Sequence, residues 1–78
     1  MKRSVVSVVS NIAEGFRGGT PKRNLRFYRI ARASNNELHT QLLMLSDLNP
    51  NKIDQDFLDN VVYVGKMLSN LIKHVSGP

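Results

Sequence analysis

Apolar residues recur along the chain at spacings of three and four, the period of one helix face, and no stretch shows the strict alternation of a half-buried strand. Two breaks interrupt this rhythm. At Gly18-Gly19-Thr20-Pro21, glycine ends one helix and a Thr-Pro pair opens the next, with Thr20 as N-cap and Pro21 at the first helical position. At Asn49-Pro50-Asn51-Lys52 the chain breaks again. Beyond it Asp54 suits the cap of a third helix, with Asp56 in its first turn and Ile53 stapled against Leu58. Lys73 and His74 suit that helix's C-terminal dipole. The pattern predicts an all-α, antiparallel up-and-down helical bundle in a single domain over residues 1–78, with helices at about 2–17, 21–48 and 54–75.

The three faces differ. The third helix presents Leu58, Val61, Gly65, Leu68, Ile72 and Val75, flanked by Phe57, Val64 and Leu71, with Gly65 marking a close helix approach. The second presents Phe27, Ala31, Ser34, Leu38, Gln41, Leu45 and Leu48, so two polar residues stand in its seam. On the first, Ser4, Ser7, Asn11 and Glu14 form a polar line between two apolar ones, Val5/Val8/Ile12 and Val6/Val9/Ala13/Phe16. A helix on the outside of a bundle needs an apolar stripe of only about 100°. This one has well over half its circumference apolar, which predicts neighbours beyond the other two helices: a partner chain or a further helix. The polar line reads either as a solvated face or as part of a hydrogen-bonded layer of Ser7, Asn11, Glu14, Ser34, Glu37 and Gln41. A hairpin turning at Gly18-Gly19 would set Ser4 and Ser34 at similar heights. In the layered reading Glu14 and Glu37 must find donors.

Charge narrows the function classes. The 78 residues carry a net charge of +5 and no cysteine, so the core is near the size at which a partner, metal or disulfide is usually needed. Residues 1–32 hold eight Lys or Arg against Glu14 alone, whereas residues 33–78 hold three against five acids. On a helical projection Lys22, Arg26 and Arg29 cluster opposite the core stripe, with Arg23 and Arg32 beside them and Arg17 just before the turn. No acid lies between Pro21 and Asn36, whereas a merely solubilising face usually mixes signs. These six residues are therefore candidates for binding nucleic-acid phosphates, RNA or DNA, without sequence readout, since no recognition-helix code or RNA-binding-domain signature is present. The rival reading is a structural adaptor whose basic face engages an acidic protein. Tyr28 fits a core-edge position better than a base-stacking one, and Gly15, Gly18 and Gly19 fit helix-end flexibility better than a phosphate cradle.

Catalysis has little to stand on. His39 and His74 are far apart in the chain with no acid at metal-ligand spacing, and no serine sits in a nucleophile-elbow pattern. The expectation is a protein without enzymatic activity, metal or cofactor. No apolar run is long enough to span a bilayer, and Ser4, Ser7, Ser10 and Asn11 interrupt any signal-peptide core after Met1-Lys2-Arg3. With the absence of cysteine this predicts a soluble, cytoplasmic protein with no membrane partner.

The stretch Ser10-Asn11-Ile12-Ala13-Glu14-Gly15, followed by Ile30-Ala31-Arg32 and then Glu37-Leu38-His39-Thr40-Gln41-Leu42, resembles the bacterial four-helix bundle family linked to intervening sequences of 23S rRNA, also described as the S23 ribosomal protein family. That family is related to the accessory variability proteins of diversity-generating retroelements. Gly65-Lys66-Met67-Leu68 and Leu71-Ile72 look like its last helix, so the likeness runs from about Lys2 to Lys73. The resemblance implies that the family's first helix is missing here and that this chain supplies the last three. It also implies a basic-surfaced homo-oligomer, in ring-like pentamers, with no enzymatic activity; for the retroelement branch it implies binding to nucleic acid and to a reverse transcriptase. Two departures stand out. Arg23 occupies the position three after Thr20 where a Glu would complete a capping box, and Asn35-Asn36 replace small or apolar residues, which predicts a loosened middle of the second helix.

Overall fold

The computed structural model describes residues 1–77. Three helices follow one another: α1 (Lys2–Phe16), α2 (Pro21–Leu48) and α3 (Gln55–Ser76), with a short 3-10 turn at Pro50–Lys52 between the last two. Their ends follow the expected chemistry. Thr20, in extended conformation, accepts a hydrogen bond on Oγ1 from the Arg23 amide at 3.1 Å, and Pro21 opens α2. The backbone half of the capping box therefore survives, and only the reciprocal side-chain half is lost. Gly18 and Gly19 take φ of 99° and 97°, a region costly for other residues, which lets the chain reverse in four residues. Asp54 accepts from the Phe57 amide at 3.2 Å, so it stands just outside α3 as its cap. Arg17 likewise caps α1 from outside the helix. Among the described residues no helix is long and apolar enough to cross a membrane.

α2 is the central element. α1 packs along one flank and α3 along another, antiparallel in turn, and no Cα of α1 comes within 8 Å of a Cα of α3. Two apolar clusters hold the arrangement. Tyr28, Ala31, Leu68 and Ile72 form one, with Ile12, Leu25 and Val64 against it; Leu38, Leu42 and Val61 form the other, with Val5, Ile53, Phe57 and Leu58. Ile53 and Leu58 thus join the same cluster, as a staple requires.

The buried line of α2 is Tyr28, Ala31, Asn35, Leu38 and Leu42: Ala31 and Leu38 lie on it as expected, whereas Phe27, Ser34 and Gln41 give way to the residue one position on, and Leu45 and Leu48 lie off it. Leu48 is fully on the surface, and Phe27, Ser34 and Gln41 are half-buried. The reason is geometric. α2 lies between two helices, so its buried arc is wide and centred between its flanks, and the two positions that mark the centre carry polar atoms.

Those two positions meet glycines. The Tyr28 ring, 3% exposed, lies on Gly15, where an added Cβ would collide with its ring carbons, and its hydroxyl donates to the Gly15 carbonyl at 2.9 Å. Gly15 is thus a packing residue within α1, which corrects its assignment to helix-end flexibility. Asn35, also 3% exposed, donates from Nδ2 to the Val61 carbonyl at 2.9 Å. A Cβ on Gly65, one turn further along α3, would stand 3.1 Å from that nitrogen, so glycine leaves the amide its path. Asn35 fastens α2 to α3 where a loosened helix had been expected.

Replacing Gly15 by alanine should destabilise the protein by about 1–3 kcal/mol in urea denaturation, because the overlap exceeds the gain in helix propensity. Gly65→Ala, which meets a single side-chain atom, should cost clearly less; equal losses would contradict the packing described. Tyr28→Phe should cost about 1–3 kcal/mol by leaving the Gly15 carbonyl unpaired.

Candidate functional site

The six-residue polar layer forms only in part. Ser7 and Ser34 share a hydrogen bond between their hydroxyl oxygens at 2.7 Å, and Asn11 donates from Nδ2 to the Ser7 carbonyl at 2.7 Å and to its hydroxyl at 3.2 Å. Ser7 therefore meets Ser34, and Ser4 is buried one turn away. Gln41 is half-buried with an Oε1 that accepts nothing among the described residues. Glu37 is exposed and lies outside the layer, and Glu14 is tied to arginines at the surface. Both departures have one cause: a carboxylate is costly to bury between helices unless cations come with it, and the arginines that bind a carboxylate, Arg17 and Arg23, stand at the α1–α2 turn.

That turn divides the basic residues into two groups. Arg17 donates to Glu14 Oε1 at 2.8 Å. Arg23 reaches back from the first turn of α2, donating from Nη2 to Glu14 Oε2 at 3.1 Å and from Nη1 to the carbonyls of Glu14 and Gly18 at 2.9 Å each. Its guanidinium also lies 4.8 Å from the centre of the Phe27 ring. An arginine on carbonyls at the end of α1 complements the negative end of that helix dipole. Arg17 and Arg23 thus secure the turn and neutralise its acid. The i,i+3 spacing of Glu14 and Arg17 announces their pairing, whereas nothing in residue spacing announces the reach of Arg23 across the turn.

Lys22, Arg26 and Arg29 form the second group, fully exposed, with Arg32 half-buried beside them. Among the described residues none of the four has a carboxylate partner. Lys22, Arg26 and Arg29 line an open groove of about 410 Å³ with Thr20 and Arg23. Concentrated positive charge without internal compensation attracts polyanions and gains from releasing their counterions. Among the described residues no three His, Cys, Asp or Glu side chains gather to hold a metal ion.

The hydrogen bond from Arg17, aided by the charges of both arginines, holds the Glu14 carboxyl below its ordinary range despite some desolvation. A lowered folded-state value means that Glu14 contributes stability at neutral pH and loses it as the pH falls through that value. In an NMR titration Glu14 should therefore ionise at lower pH than an isolated glutamate. Arg17→Gln should move it upward; a midpoint unchanged by that substitution would show the contact to be absent in solution.

No curated protein and no solved structure matches the chain. A family model does: the one described as 23S rRNA-intervening sequence protein covers residues 1–70, nearly all of both helical hairpins and of the basic turn between α1 and α2. The chain belongs to the 23S rRNA-intervening sequence protein family.

Proposed function

We propose that this chain is a non-enzymatic, oligomeric helical module that binds the backbone of ribosomal RNA or its intervening sequence through Lys22, Arg26, Arg29 and Arg32. The observation that carries the reading is the uncompensated face of α2, where exposed cations stand with no acid opposite them. The family description favours RNA over DNA as the polyanion. Arg17 and Arg23 act indirectly, by neutralising Glu14 so that no anion confronts the ligand. Binding of this kind positions a protein on phosphates and carries little sequence information.

Self-association is supported by the surface of α1. Val6, Val9 and Phe16 lie 55%, 62% and 64% exposed along one line of that helix, an apolar stripe whose burial would be favourable. Copies joined through it would repeat the basic face, and avidity would strengthen modest single sites. The same stripe favours a second reading, a protein adaptor without a nucleic-acid role; a partner recovered equally well after nuclease treatment would support that alternative.

RNA affinity should fall steeply with salt, each neutralised phosphate adding about 0.7 to the slope of log K against log salt for a single strand. Replacing Lys22, Arg26 and Arg29 together by glutamate should abolish binding, while helicity by circular dichroism is retained. RNA binding that survives this change in full places the site elsewhere.

A further inference from the structure

The basic face has a neighbour on α3 that net charge conceals. Between α2 and α3 runs an open groove of about 470 Å³, lined by Asn35, Asn36, His39, Lys66, Ser69 and Asn70 over a floor that includes Gly65. Asn70 also lines a second groove of about 490 Å³ with Lys73 and His74, so the concave surface continues to the end of α3. Neither groove is lined by an acid. Of the five acids that make residues 33–78 net negative, Asp47, Asp54, Asp56 and Asp59 cluster about the α2–α3 turn, at the far end of the hairpin from Lys73, and Glu37 is on α2. Asn36 and His39 continue the α2 line begun by Arg29 and Arg32 at spacings of three and four. One helix face thus leads from the basic patch into the groove.

We infer that the α2–α3 groove receives an unpaired nucleotide of a bound RNA, with Lys66 on its phosphate and the Asn36 and Asn70 amides on its base edge. This rests on the proposed nucleic-acid binding through α2. The chemistry selects the ligand class. Each asparagine amide offers donors and an acceptor side by side, matching the mixed edge of a base, and Lys66 supplies a point charge for the adjoining phosphate. A duplex's base edges are already paired, whereas splayed bases in loops, bulges and ends have edges free to meet the two amides. Gly65 contributes by leaving the floor open, since a side chain there would press on Asn35. Asn36, Lys66 and Asn70 are exposed and make no hydrogen bond to another side chain among the described residues, so they are available to a ligand.

The test compares two fluorescently labelled RNAs of equal length, an unstructured single strand and a blunt duplex, by anisotropy on the full chain. The single strand should bind about tenfold more tightly, the discrimination expected of a good base-edge contact. Combining Asn36→Ala, Lys66→Ala and Asn70→Ala should erase that preference while leaving duplex binding in place. Lys66→Glu alone serves as a second variant and should reduce the preference as well, with circular dichroism reporting the fold of each. Equal affinity of the unaltered protein for both RNAs, or a preference that survives the triple substitution, overturns the groove assignment and leaves the basic face standing. Failure of the unaltered protein to bind either RNA removes the reading of the basic face and this inference with it.

Discussion

The architecture depends on the seat of Tyr28 against Gly15. The ring belongs to the same cluster as Ala31, Leu68 and Ile72, so it ties α1 to a core otherwise shared by α2 and α3. Its hydroxyl meets a carbonyl in the last turn of α1, one of the groups a helix end leaves without an internal partner. Neighbouring carbonyls of Glu14 and Gly18 receive Arg23. The end of α1 is thus satisfied from α2, by one aromatic hydroxyl and one guanidinium. The register this imposes brings Ser7 to Ser34 and Glu14 to Arg23. A helix whose own sequence provides no acid in its first turn and no base in its last is anchored by what its neighbour supplies.

The same junction organises the electrostatics. Glu14 is the single acid in the first 32 residues, and two arginines bind it through opposite carboxylate oxygens. What remains on the outer face of α2 is positive charge with no internal opposite. Exposed ion pairs of this kind contribute little stability, so their larger effect is on the shape of the potential: compensated at the turn, uncompensated one turn further along.

Helix boundaries were legible from the sequence because caps and breakers are local. Thr20, Pro21, Asp54 and the Gly18-Gly19 pair act within a few residues of themselves, and the structure uses each as expected. The open side of α1 was legible too, since its Val6, Val9 and Phe16 line exceeded what two neighbours could cover. Long-range partners were not. Tyr28 and Asn35 carry polar atoms, and only a matching glycine on another helix makes each a good core residue. The candidate site divided in the same way: the clustering of Lys22, Arg26 and Arg29 followed from helical periodicity, whereas the capture of Arg23 by Glu14 across the turn needed three dimensions. Lys66 and Asn70 escaped notice because the acids near the α2–α3 turn masked them in the charge balance.

That the backbones of α1 and α3 stay apart, each lying close only to α2, bears on how the molecule folds. Almost every tertiary contact joins elements adjacent in the chain, so loop closures are short and both hairpins are able to form early and separately. Cooperativity between them runs through both shared clusters, since Ile12 of α1 packs on the one around Tyr28, Ala31, Leu68 and Ile72 and Val5 of α1 on the one of Leu38, Leu42 and Val61. Opening α3 would strip one side of both clusters and leave the Glu14–Arg23 junction of the other hairpin intact. The basic face sits on α2, the helix that belongs to both hairpins.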